Sequence, residues 1–381
     1  MMNIVIIITD NYPRKFSATN NKAEFIARGL SAKGCKVTIV DVPYGTNGVH
    51  NLTEGRTQTG VDYIQLPQTN QSIGKAWGNL SFYKEIFRKL YQPGEDNVVF
   101  FGFFFLPFYL RLCNIANKCG YRKYLLYHEW NIKTPHNSCI SAIEDYLMTF
   151  SFGFFLDGIF PISHFLEQKC RMFHKPQMIL PIMAEFNETH VKPIVGNHFS
   201  FCANVDYLLR NKIILDAFEE LYLKRDDANL YLVLFGEEKK MQQLQAYLET
   251  LKSKDNIFIK SKVPQEELID LYKKSVALII PLDPKSVADK ARFSQKIAEY
   301  LSSSRPVITN NVGEIPYYFT DRKDIIIADY TVEGFLKAML FAISDKEAAT
   351  KIGEQGFLKG KQEFGIDNNC NRIIDFIEKS I

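Results

Sequence analysis

Residues Ile4–Ile8 form an unbroken run, Ile-Val-Ile-Ile-Ile, with no polar side chain to face water on either side. A strand of this kind is buried on both faces, which places it in a parallel sheet covered by helices. The next residues agree. Ala23, Phe25, Ile26 and Leu30 recur at helical spacing, Gly34 stands where that helix would close, and Val37–Val42 supplies a second apolar run. Strand, helix and strand within about 40 residues make a βαβ unit.

The alternation continues. Val98–Phe101, Lys123–Tyr127, Gly158–Ile162 and Met178–Leu180 read as strands, with helices at Pro107–Lys118, Ser141–Phe155 and Phe165–Phe173 between them. Residues 185–198 lack a period and hold Pro193 and Gly196, so a domain boundary is expected there. A second set then begins. Strands are predicted at Phe199–Ala203, Asn229–Phe235, Asn256–Ile259, Val276–Pro281 and Pro306–Thr309, with a single helix at Tyr207–Tyr222 among the helices between them. The expected fold class is α/β: two doubly wound Rossmann-like domains with a ligand cleft between the carboxyl ends of their strands. The expected domains are 1–187, 188–364 and a C-terminal helix, 365–381, packing back on the first.

Composition removes other classes. With 46% hydrophobic and 23% charged residues the chain has ordinary globular content, and a net charge of +3 gives no reason to expect nucleic acid. Seven cysteines show no paired or zinc-ligand spacing, which fits reduced thiols in a cytoplasmic protein. The N-terminus lacks the basic segment and cleavage site of a secretory signal. Two apolar runs, Val98–Leu110 and Tyr146–Leu156, are too short to cross a bilayer, which takes about 20 residues. Residues 1–185 carry 19 Lys+Arg against 14 Asp+Glu, so the first half could sit as a peripheral protein against an anionic membrane surface.

The chemistry concentrates between Ala291 and Glu314. Ser294 is a suitable N-cap, and Lys296 and Glu299, three apart, share a helix face. A phosphate at the helix start would meet Arg292, Ser294, Gln295 and Lys296, and a ribose diol could chelate to Glu299 one turn on. The segment Lys296-x-x-Glu299-Tyr300-Leu301, then Pro306-Val307-Ile308 and Gly313-Glu314, resembles the C-terminal signature of GT-B glycosyltransferases of the retaining family-four type. Leu232–Gly236 and the stretch from Val263-Pro264 to Ile280-Pro281 resemble further parts of the same domain. The likeness is strong in the second half and loose in the first.

That resemblance implies transfer of a sugar from a nucleoside-diphosphate sugar, with retention at the anomeric carbon, to a glycan or lipid-linked acceptor in surface polysaccharide synthesis. It implies Glu299 as the ribose carboxylate and Gly236 at a strand end; the G-R-x-x-x-x-K phosphate pair that relatives keep after the first strand of this domain is missing, with Asn204 at that loop and Arg210 and Lys212 the nearby cations. His128 and Glu129, at the end of a first-domain strand, match the region near the donor sugar and are the candidate catalytic groups. No cofactor is expected beyond the donor substrate, and the absence of any Asp-x-Asp points to metal-independent chemistry. The family often has a glutamate eight positions before Glu299; here that residue is Ala291. A nucleotide-sugar epimerase, or a non-catalytic glycan- or nucleotide-binding relative, are the alternatives.

Overall fold

A computed structural model describes residues 1–13, 17–41, 52–67, 80–102, 106–130, 139–187 and 193–380. The chain divides into two units. The first is Met1–Met183, Ala291–Phe293 and Ile366–Ile381; the second is Ala184–Lys290 and Ser294–Gly365.

Among the described residues the first unit holds seven strands: β1 (Met2–Ile8), β2 (Lys36–Asp41), β3 (Thr53–Arg56), β4 (Asp62–Gln65), β5 (Asp96–Phe101), β6 (Arg122–Tyr127) and β7 (Gly158–Pro161). Their spatial order is β3-β4-β2-β1-β5-β6-β7. Every pair is parallel except β3 with β4. β1 is central and wholly buried, with Ile4 opposite Val37 on one side and Val98 on the other. The helices are α1 (Ala18–Ala32), α2 (Leu80–Leu90), α3 (Leu106–Lys118), α4 (Cys139–Phe155) and α5 (His164–Cys170).

Ser17 caps α1 by accepting from the Asn20 N–H at 3.1 Å, and Gly34, at φ +84°, turns the chain out of it. The C-terminal helix, Ile366–Lys379, completes this unit's core by adding Cys370, Ile373 and Ile377. Gly29 makes that docking close, because a Cβ there would stand 2.3 Å from Cys370 Sγ and 2.6 Å from Ile366 Cγ2. Phe376 fixes the other end against the rings of Tyr124 and Phe160.

Among the described residues the second unit has six strands: β8 (His198–Asn204), β9 (Asn229–Phe235), β10 (Ile257–Lys260), β11 (Ala277–Ile279), β12 (Val307–Thr309) and β13 (Ile326–Ile327). They lie in the order β10-β9-β8-β11-β12-β13, all parallel. Its helices are α6 (Val205–Arg210), α7 (Ile213–Tyr222), α8 (Glu238–Leu248), α9 (Gln265–Lys274), α10 (Val287–Ala291), α11 (Gln295–Leu301), α12 (Ile315–Tyr318), α13 (Val332–Ser344) and α14 (Lys346–Phe364), with Ala291 of α10 falling to the first unit. In both sheets the winding reverses at the first strand, β1 and β8, and such a switch point opens a crevice beyond the strands' carboxyl ends.

The structure departs from the sequence expectations in particular places. The single helix over Tyr207–Tyr222 is two, α6 and α7. Asn211 breaks it: its amide donates to the Tyr207 carbonyl at 2.8 Å while its Oδ1 accepts from Tyr330 at 2.7 Å. Met178–Leu180 forms no ladder strand of its own; it runs beside β7 through Met178 N–H to Ile159 O and Leu180 N–H to Pro161 O. The β3–β4 pair gave no sequence signal, because β3 is Thr-Glu-Gly-Arg and alternates half-buried with exposed rather than reading as an apolar run.

Candidate functional site

The second unit's site is assembled at the carboxyl ends of β8 and β9 and on α11. Asn204 ends β8 and caps α6, accepting from the Asp206 N–H at 2.9 Å. Gly236 follows β9 at φ +140°, and a Cβ there would stand 2.7 Å from Val205 Cγ1, so the two strand ends close on one another only with glycine at this position. Asn204, Asp206, Arg210, Gly236, Glu237 and Lys240 together line a cavity of about 480 Å³.

The cations in this cavity are engaged. Lys240 Nζ lies 2.8 Å from Asp206 Oδ1, and Arg210 lies 3.5 Å from Asp206 Oδ2. The hydrogen bond to Asp206 raises the Lys240 ammonium's pKa. Two acids, Asp206 and Glu237, and two bases, Arg210 and Lys240, thus share the lining.

On α11, Lys296 Nζ sits 2.6 Å from Glu299 Oε2, both side chains about one-fifth exposed. Burial alone would lower the lysine, but the Glu299 carboxylate outweighs it and raises the pKa. Ile297 and Leu301, on the other face of the helix, are fully buried. Behind the pair the Cys202 N–H donates to the Tyr300 hydroxyl at 2.9 Å, and Tyr300 meets Tyr272 edge to face at 4.9 Å. Ser294 occupies the N-cap position with extended backbone, but its side chain makes no capping bond; its carbonyl accepts from the Ile297 N–H at 3.0 Å. Gln295 opens α11 half-buried.

Arg292 precedes α11 and is half-buried. With Ala291 and Phe293 it belongs to the first unit, and Ser163 ties the segment there by donating to the Ala291 carbonyl. Asp289, near the position of the missing glutamate, is buried and accepts from the Asp283 N–H at 3.1 Å.

The first unit brings together a different set. His128 follows β6, and its Nε2 is shut off from solvent with no hydrogen-bond partner among the described residues. Burial, then the charge of Lys22, holds its imidazole well below the ordinary histidine range. Glu129 beside it is exposed. Lys22, in the second turn of α1, is only 4% exposed, and its Nζ donates to the Leu180 carbonyl at 3.1 Å. Burial pushes it down to about 7. Asp41, at the end of β2, accepts from the Asp10 N–H at 3.1 Å and from Gln65 at 3.3 Å, and burial raises it to about 6.

The sequence reading missed Lys22, Asp41 and the Cys202–Tyr300–Tyr272 stack. Lys22 had a readable signal, since it stands four residues before Ile26 and so on α1's buried face. Among the described residues no cluster of His, Cys, Asp and Glu has metal-site geometry.

Known proteins share this architecture over the full chain. A sucrose-phosphate synthase from Thermosynechococcus elongatus superposes with a TM-score of 0.73 at 13% identity, covering 100% of this chain and 99% of its own. A glycosyltransferase from Rickettsia africae gives 0.73 at 12% identity, with 99% and 98% covered. Anabaena HepE in complex with UDP-glucose gives 0.73 at 10% identity, with 99% of each chain covered. No curated protein matches the chain in sequence. The fold is that of the GT-B glycosyltransferases. Residues 199–359 match the family described as Glycosyl transferases group 1.

Proposed function

We propose that the chain is a group 1 glycosyltransferase that moves a sugar from a nucleoside-diphosphate sugar to a glycan or lipid-linked acceptor, retaining the anomeric configuration and needing no metal. The observation that carries the reading is the Lys296–Glu299 pair, held at 2.6 Å within the segment that matches the family. In this reading Glu299 takes the ribose hydroxyls. Lys296 neutralises the diphosphate as negative charge develops on the leaving group. Asn204 and Gly236 admit the donor at the strand ends, where both line the cavity.

In this reading His128 lies near the donor sugar, as the family resemblance implies. A neutral imidazole with an unpartnered nitrogen can accept a hydrogen bond or a proton from a sugar hydroxyl. Glu129, exposed beside it, orients hydroxyls. Retention follows the family resemblance, and metal independence follows the absence of an Asp-x-Asp pair in the sequence. Surface polysaccharide assembly at the cytoplasmic face of a membrane is the setting we propose.

UDP-sugars are the first donors to test, since solved relatives of the same fold were captured with UDP and UDP-glucose. Thermal-shift screening of nucleoside diphosphates followed by a product assay with EDTA present decides the matter. Stabilisation by one diphosphate, with acceptor-dependent turnover, supports transfer. Epimer formation without acceptor, or binding with no turnover, replaces it with another reading.

A further inference from the structure

α4 is apolar on both of its sides. Its inner side carries Phe152, fully buried against the rings of Tyr109, Tyr127 and Phe173. Its outer side carries Ile143, Tyr146, Leu147, Phe150 and Phe154, each between 48% and 71% exposed. These five recur at i, i+3, i+4, i+7 and i+11, a single stripe about 100° wide. A stripe of this width normally faces a core; here it faces out. From Tyr146 to Phe155 the helix has no charged residue. Met172, in the adjoining turn Arg171–Phe173, is 62% exposed and extends the patch.

The segments that adjoin this helix carry cations. Arg111 and Lys118 are exposed on α3, which packs along α4. Arg171 and His174 are exposed and Lys175 half-buried in the segment beside Met172. Neither α3 nor residues 171–175 contain an acid; Arg171 pairs with Glu167 of α5 at 3.2 Å, and α4's two acids, Glu144 and Asp145, lie in its N-terminal half. Apolar side chains within a basic rim match acyl chains beneath anionic headgroups. A second copy of the chain fits less well, because a two-fold contact through this face would set the same cations against each other.

The helix cannot span a bilayer. Its 17 residues reach about 25 Å, short of the roughly 30 Å hydrocarbon layer, and among the described residues no helix is long and apolar enough to cross a membrane. We infer that α4 lies in the plane of an anionic lipid surface, with Tyr146, Leu147, Phe150 and Phe154 inserted and Arg111, Lys118 and Arg171 at the headgroups. This gives the lipid-linked acceptor of the proposed function a physical location, but the attachment itself needs no sugar transfer.

The test is co-sedimentation of the full chain with vesicles of phosphatidylglycerol and phosphatidylcholine in equal parts, beside pure phosphatidylcholine. Binding to the anionic vesicles at low salt, at least tenfold weaker in 0.5 M salt and on neutral vesicles, is expected. The double variant Phe150→Asp/Phe154→Asp should lose at least tenfold in binding while keeping its circular dichroism and its melting temperature. Absence of wild-type binding, or equal binding by the folded variant, overturns the inference. So does a wild-type dimer in light scattering that the variant abolishes, since the stripe would then be a self-association face. Nucleotide protection, measured without vesicles, reports separately on the transfer reading.

Discussion

At the carboxyl edge of the second unit's sheet, charged groups meet partners: Lys296 with Glu299 at 2.6 Å, and Lys240 and Arg210 with Asp206. At the same edge of the first unit, Lys22 has one backbone carbonyl, and the buried Nε2 of His128 has no partner among the described residues. Pairing keeps a lysine charged through neutral pH, whereas burial beside a weak acceptor drives a base toward its neutral form. One unit is therefore built to hold fixed charge and the other to hold neutral bases. The first condition suits a diphosphate, which keeps its charge. The second suits a hydroxyl, which must be approached by a group able to take its proton.

The largest expected effect tests the first unit. His128→Ala should lower transfer by about 100-fold or more while nucleoside-diphosphate affinity, measured by calorimetry, stays within about twofold. An equal loss in both would erase the distinction between the units. Glu299→Ala should do the reverse. It should weaken nucleotide binding by about 1–3 kcal/mol, roughly 5- to 150-fold, because ribose hydroxyls and Lys296 lose their partner. Unchanged affinity would remove Glu299 from the site.

Gly29→Ala separates the units by stability. The new methyl collides with Cys370 and Ile366, and overpacking of this kind costs about 1–3 kcal/mol. Hydrogen exchange should show the loss in the first unit's strands and not in β8–β13.

The last effect is read as a slope, at most about 1.4 kcal/mol over any one pH unit. The pKa of Lys22 is lowered in the folded chain to about 7, so between pH 7 and 10 the unfolded chain binds more protons. Stability should then rise with pH across that window, by up to about 1.4 kcal/mol per unit. Lys22→Met should flatten that rise in urea titrations at successive pH values, and a slope unaltered by the substitution would show that Lys22 keeps its charge when folded.

Legibility in the sequence also differed between the halves. The parallel sheets could be read because buried strands are unbroken apolar runs, as in β1, β5 and β9. Lys296 and Glu299 could be placed on one helix face because three residues is nearly a turn. The cavity could not be read in full: Asp206 and Lys240 are 34 residues apart and meet only because β8 and β9 are neighbours. Arg292 was assigned by chain proximity to Lys296, whereas the structure groups it with the other unit. Polar strands such as β3 left no trace because their burial alternates without an apolar side.

The C-terminal helix has a consequence for the order of assembly. Cys370, Ile373 and Ile377 fill a core whose other members all precede residue 184. During synthesis the ribosome releases those three side chains only after every strand of the second sheet has emerged. The unit begun first is therefore sealed last, with a greasy seam along α1 open to chaperones or to misplaced neighbours in the interval.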